Sequence, residues 1–325
     1  MSAPRIGVGV PVWQGAEFVA QTLDCMLSQR DVAVEVFICI DGADRESERA
    51  CRPFASDPRV RIVVQPQRLG WGENCAAALA GAAATGAPYV CLQPHDDLVD
   101  SDYLRSLVEV AEVRPNAAVV YSDIRAFGSY SDLIVQPEVT GTPIERQLAL
   151  LRYFHAAAFR GLTRAAALSR APMAGNSYRD FACDLVWLAR LARVGDLIRV
   201  PRELYRKRYH AANTYKEWHA WSLEQRTDAW LQHCLDMLAE ALCVCSRRED
   251  DDRVVAAARA RLVDDSASAY RTDLARLTPD ERAHLLRRFD EGCVARVRYG
   301  PLGRKVGDRL RQAWRRVVGL AGTAG

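Results

Sequence analysis

Short apolar runs alternate with helix-period stretches through the first half of the chain. Ile6–Val12, Val34–Ile40, Val60–Val64 and Tyr89–Leu92 have strand length and strand composition. Between them, Glu17–Leu27, Glu46–Phe54 and the alanine-rich Glu73–Ala84 carry apolar residues at helical spacing. A helix over Ser101–Val113, capped by Ser101, and a strand over Ala118–Tyr121 continue the alternation. This rhythm predicts an α/β fold: a mostly parallel sheet flanked by helices, with right-handed connections. Gly128–Thr142 reads as a loop, Asp180–Arg193 as a helix, and Leu197–Val200 and Leu204–Arg208 as two short strands. Beyond Thr214 the pattern turns helical, over Glu217–Leu242, Asp252–Leu274 and Pro279–Phe289. The chain therefore divides into an α/β region, 1–214, and a mainly helical extension, 215–325.

In a parallel sheet of this kind, ligands gather at the carboxyl ends of the strands. Those ends carry Trp13 and Gln14, then Asp41 and Asp44, then His95, Asp96 and Asp97. Two adjacent carboxylates repel each other, and a strand end presenting both calls for a cation. Oxygen donors suit Mg²⁺ or Mn²⁺, which in turn hold phosphates. Taken alone, each residue also has a plainer role. Asp41 suits a turn before Gly42, Asp184 suits a helix start, and His210 suits a capped surface position.

Composition narrows the classes. The 325 residues are 49% hydrophobic and 26% charged, with a net charge of +3, which gives no case for nucleic-acid binding. Cys25, Cys39, Cys75 and Cys91 fall inside apolar patterns, as small buried hydrophobes do. With no leader pattern and no apolar run of spanning length, a reducing, cytoplasmic setting is expected. The loop Gln14-Gly15-Ala16-Glu17 has no Lys or Arg, unlike the triphosphate loop of a nucleotidyltransferase. No G-x-G-x-x-G follows the first strand, which argues against a dinucleotide dehydrogenase.

The order and spacing of these residues resemble family 2 glycosyltransferases of the GT-A fold, over about residues 5 to 210. Val8-Gly9-Val10-Pro11-Val12-Trp13-Gln14-Gly15 is similar to the opening V-x-x-P-V-Y-N-G, and Asp41-Gly42-Ala43-Asp44 to D-D-G-S. Leu69 to Asn74 is similar to the N-x-G-x-x-x-A-x-N segment, and His95-Asp96-Asp97 takes the place of D-x-D. Cys183-Asp184 and the helix after it resemble E-D-x-x-L-x-x-R-L-A, and Arg208-Tyr209-His210 resembles R-x-H. The resemblance implies an inverting transfer of sugar from a nucleotide diphosphate to an acceptor hydroxyl, with Asp184 as general base. It implies donor contacts from Pro11, Val12, Trp13, Gln14, Asp41, Gly70, Asn74, His95 and Asp96. It also implies Mn²⁺ or Mg²⁺ on Asp97, Asp96 and His210. Gln14 replaces the family Asn, and Cys183 replaces the Glu before the base. These departures keep open a non-catalytic relative that binds sugar nucleotides or glycans.

The acceptor, a glycan, a lipid-linked carrier or another hydroxyl compound, is not specified by these motifs. Gly303–Leu320 puts Val306, Leu310, Trp314 and Val317 on one helical face, with arginines mostly elsewhere. Such a helix suits peripheral contact with an anionic membrane, at its inner face, or packing on protein, including a second copy. If it binds membrane, truncation after Pro301 abolishes co-sedimentation with anionic liposomes. Equal pelleting of both forms rules that out.

Overall fold

The computed structural model describes residues 3–152, 156–213, 215–264, 266 and 273–299. Strand β1 (Arg5–Val12) is followed by α1 (Val19–Leu27), β2 (Ala33–Ile40), α2 (Arg45–Cys51) and β3 (Val60–Val64). Next come α3 (Trp71–Ala83), β4 (Tyr89–Leu92), β5 (Leu98–Val99), α4 (Tyr103–Val113) and β6 (Ala117–Gly128). After β7 (Leu133–Ile134) and α5 (Pro143–Leu150) lie β8 (Leu162–Arg164), α6 (Ala165–Arg170), α7 (Cys183–Ala192) and β9 (Asp196–Tyr209). Helices α8 (Tyr215–His219), α9 (Leu223–Leu242), α10 (Arg248–Val263) and α11 (Pro279–Tyr299) complete the described chain.

Two compact units result. One comprises Met1–Thr140 and His155–Asn213, the other Gly141–Phe154 and Thr214–Gly325. The segment carrying α5, which the sequence reading placed in the first region, thus packs with the second unit. The proposed tail helix, Gly303–Leu320, lies outside the described residues, as does His155.

The first unit is built on one sheet, ordered β3-β2-β1-β4-β8-β6-β9-β5, with β7 paired to β6. Strands β1 to β4 are mutually parallel, and β6 runs parallel to β9 over most of its length. The short β8 is antiparallel to both β4 and β6, which leaves those two pointing the same way. The carboxyl ends of β1, β2, β4, β6 and β9 therefore share one edge.

Packing against the sheet explains the alternation in β1. Ile6, Val8, Val10 and Val12 enter the core with Val19, Leu23 and Met26 of α1. On the opposite face stand Gly7 and Gly9, and there α3 comes within backbone contact. A Cβ on Gly9 would lie 2.6 Å from the Ala78 carbonyl oxygen. Glycines in the strand and alanines in the helix are the two halves of one close approach.

Three local expectations change. Ser101 does not cap α4: Asp102 occupies the N-cap position without a side-chain cap bond, and it instead pairs with Arg202 at 2.7 Å. The two strands expected around 197–208 are one strand, because Pro201 and Arg202 are left out of the pairing with β6 while it resumes at Glu203. The loop 128–142 contains β7 and a bridge from Val139 to Leu197.

The second unit is helical. Helices α5 and α9 both begin with capping boxes, Thr142 with Glu145 and Ser222 with Gln225. All ten cysteines are free thiols. No described helix is long and apolar enough to cross a membrane.

Gly9→Ala should destabilise the first unit by about 1–3 kcal/mol, since the added methyl must push α3 away from the sheet. Urea denaturation of the two proteins measures this.

Candidate active site

At the end of β4 the chain turns sharply, and the two adjacent aspartates meet opposite environments. Asp97 is 1% exposed. Its carboxylate accepts from Arg160 Nε at 3.0 Å, the Tyr205 hydroxyl at 2.8 Å and the Arg208 backbone N–H at 2.8 Å. Asp96 is half-buried; its Oδ2 accepts from His210 Nε2 at 2.9 Å and Asn213 Nδ2 at 3.0 Å. Burial pushes the Asp97 carboxyl upward and the Asp96 charge adds to this, against Arg160 and Lys207. For Asp96, burial works in the same direction, but the His210 hydrogen bond and nearby positive charge outweigh it and hold the group low. Of the pair, Asp96 is the carboxylate poised to stay ionised at the surface of the site, and Asp97 is enclosed.

His210 reaches Asp96 from the end of β9, its ring tilted against Phe18 with centroids 4.6 Å apart. The Ala212 N–H points at its Nδ1 from 3.2 Å, so Nε2 carries the proton shared with Asp96. His95 faces elsewhere. Its Nδ1 sits 3.1 Å from the Pro11 carbonyl, which can only accept, so that nitrogen is the donor. The ring lies against Gly15, where a Cβ would fall 2.5 Å from His95 Cδ2.

Asp184 opens α7, half-buried, with its Oδ1 accepting its neighbour Leu185 N–H at 2.9 Å. Burial raises its carboxyl above the ordinary value; the Leu185 hydrogen bond and the charges of Arg160 and Lys207 oppose the rise. The same Arg160 and Lys207 act on Asp97, so Asp184 and the β4 aspartates belong to one charge cluster. Burial, with Arg160 beside it, brings Lys207 down to about 8 against the pull of the three aspartates. Arg160, Lys207, Tyr205 and Asn213 carry no motif, and the sequence reading missed them. The basic run Arg206-Lys207-Arg208 was the one available signal.

On the other flank, Asp41 is 1% exposed at the end of β2. It accepts the backbone N–H groups of Leu69 at 2.5 Å and Gly70 at 3.0 Å. Gly70 has φ 93°, which a side chain would resist. Buried Asn74 ties α3 to β2 through the Cys39 carbonyl at 3.0 Å. Trp13 is half-buried, with the Arg68 guanidinium 4.2 Å over its ring. Gln14 is exposed and left-handed, its N–H held by Asp44 at 2.6 Å. Pro11 and Val12 are buried and use their carbonyls on His95 and the Asp41 N–H.

This arrangement has known counterparts. Residues 8–168 match the model of Glycosyl transferase family 2. The chain carries a glycosyl transferase family 2 domain. Chondroitin synthase of Pasteurella multocida is 26% identical over 132 residues, 40% of this chain. The match covers 13% of that synthase, so the chain spans a small part of the curated relatives it matches. Among solved structures, S. aureus TarS 1–349 in complex with UDP-GlcNAc superposes with TM-score 0.66 at 13% identity, over 96% of this chain and 90% of that one. A mannosyltransferase from Pyrobaculum calidifontis, in complex with GDP-Man and Mn²⁺, gives 0.52 at 17% identity, over 98% and 88%. At these identities the structures establish a shared GT-A glycosyltransferase fold.

The family 2 domain offers a donor set that fits a divalent cation. Among the described residues no group of three or more His, Cys, Asp or Glu side chains could hold a metal alone. An ion that also takes diphosphate oxygens needs only one or two protein donors. Asp96 Oδ2 and His210 Nε2, 2.9 Å apart, provide a carboxylate and an imidazole. Asp97 is already committed to Arg160, Tyr205 and the Arg208 N–H.

Asp97→Ala should therefore cost about 3–5 kcal/mol of stability, since it strips the largely enclosed Arg160, 13% exposed at its side chain, of its counter-charge. Asp96→Ala should cost much less. Chemical denaturation of both variants separates the two roles.

Proposed function

We propose that the domain is an inverting glycosyltransferase, moving a sugar from a nucleotide diphosphate donor to an acceptor hydroxyl. The observation that carries this reading is the single charge cluster joining Asp184 to Asp96 and Asp97 at the sheet edge. The nucleotide lies toward β1 and β2, where Asp41 shapes the 69–70 turn and Trp13 and Arg68 form a flat cationic face. The diphosphate lies at the end of β4. Asp96 and His210 would hold Mn²⁺ or Mg²⁺, which would offset the charge that develops on the departing diphosphate.

Asp184 takes the proton from the acceptor hydroxyl as the oxygen attacks the anomeric carbon opposite the diphosphate. Its raised pKa makes it a better proton acceptor than an exposed aspartate, while Arg160 and Lys207 favour its ionised form. Binding a cation at His210 Nε2 would require that nitrogen to give up the proton it shares with Asp96. The acceptor, a glycan or lipid-linked hydroxyl, approaches from the α7 side.

Donor turnover with UDP- and GDP-sugars, with and without Mn²⁺, tests the reading. Asp96→Ala and His210→Ala should lose Mn²⁺-dependent donor binding. Asp184→Asn should bind donor as wild type does and turn over roughly 10² slower or worse. A charge that burial disfavours lowers stability wherever it is ionised. Asp184→Asn should therefore melt higher than wild type at pH 7, and the gap should close as pH falls toward about 4, where the unfolded carboxyl also protonates. Wild-type turnover should fall on the acid side through a pKa above that ordinary value. Lack of donor turnover with every sugar nucleotide, alongside tight binding, would leave a non-catalytic binder.

A further inference from the structure

The chain just before the base is held in an unfavourable shape. Arg179, Asp180 and Ala182 all have left-handed backbone, with φ of 49°, 61° and 50°. Non-glycine residues persist there only when their surroundings force them. The restraint is the start of α3. Asp180 Oδ2 accepts the Gly72 N–H at 2.8 Å, and its Oδ1 accepts the Asn176 N–H at 3.1 Å. Glu73 Oε1 accepts the Gly175 N–H at 2.9 Å, a second tether between the same two segments.

The approach leaves no room for side chains. A Cβ on Gly72 would lie 2.6 Å from Gly175 Cα and 2.7 Å from Asp180 Oδ1. One on Gly175 would lie 2.5 Å from that same oxygen. Gly70, at the N-cap of α3, makes no side-chain cap bond. The first-turn N–H groups of a helix need an acceptor and favour an anion. Asp180 supplies it from 108 residues away in sequence. Residues 69–72 are thus gripped by two carboxylates, Asp41 at the end of β2 and Asp180 four residues before Asp184.

We propose that Asp180 is a positioning residue, whose clasp on the start of α3 fixes where α7 begins and so where the Asp184 carboxylate points. The proposal rests on Asp184 being the base. Asp41 holds Leu69 and Gly70 independently, so loss of the clasp frees the base and leaves the donor side in place. Reacting groups tolerate little displacement, about 10²-fold in rate for 1 Å.

The experiment is steady-state kinetics with Mn²⁺ and whichever of UDP-GlcNAc or GDP-mannose the wild type turns over, on Asp180→Asn, Asp184→Asn and the double variant. Asn tolerates left-handed backbone and keeps one acceptor oxygen where Asp180 uses two, so the substitution breaks one of the two N–H bonds and leaves the turn. Asp180→Asn should lower kcat by about 10- to 100-fold with donor KM and calorimetric Kd unchanged. The double variant should be no slower than Asp184→Asn alone, because the clasp acts only through the base. Glu73→Ala, at an exposed site, should show the same kcat-only loss at several-fold size, and it serves if Asp180→Asn does not fold. Multiplied losses in the double variant would overturn the proposal. So would weakened donor binding at unchanged kcat, or a lowered melting temperature with kcat intact. If Asp184→Asn itself turns over within a few-fold of wild type, the base assignment falls and the clasp falls with it.

Discussion

A carboxylate removed from water must be paid for by its neighbours, and Asp97 is the residue around which the first unit's site is arranged. Its partners come from two separate stretches: Arg160 before β8, and Tyr205 and the Arg208 N–H on β9. Arg160 in turn lies over the Phe159 ring at 4.2 Å and the Tyr205 ring at 5.7 Å. A buried ion pair is weak evidence for stability, because desolvation offsets the attraction. Its consequence is geometric. It locks the turn after β4 to the far strands of the sheet, so Asp96 is presented to His210 and Lys207 is brought among the aspartates.

The two aspartates divide the labour. Asp97 spends its oxygens inside the protein and fixes the turn. Asp96, one residue on the solvent side, keeps its charge and meets a histidine. Had both faced outward, they would repel; had both been buried, one would be protonated. Their opposite shifts follow from that split. A similar economy governs the other flank, where Asp41 and Asp180 each satisfy backbone N–H groups of the glycine-rich start of α3. Asp41 and Asp97, which look like ligand contacts in the sequence, also build the surface a ligand would meet.

Much of this was legible in the chain. The apolar runs placed β3 and β4 at their observed bounds and β1 and β2 to within one residue, because buried parallel strands need continuous apolar character. The alanine-rich character of α3 was legible too, while its close contact with Gly7 and Gly9 of β1 came from the structure. The alternation also fixed which strand ends carry Asp41 and Asp96. Less legible were β8 and the segment holding Arg160, three-residue and four-residue elements too short to show a period. The continuity of β9 through Pro201 was hidden as well, since an excluded pair of residues reads as a break.

The sequence by itself determined the α/β framework, the order of its strands along the chain and the identity of the acidic residues at their carboxyl ends. These depend on local periodicity, which each stretch expresses alone. Only the tertiary structure decided which of two adjacent aspartates is enclosed, and that Arg160 and Lys207 share their field with Asp184. It also turned Asp180 toward the first turn of α3. Those outcomes depend on burial and on partners more than a hundred residues distant in the case of Tyr205, Arg208 and Asp180. Desolvation and hydrogen bonding act through space, and no local pattern in the chain encodes which groups they will bring together.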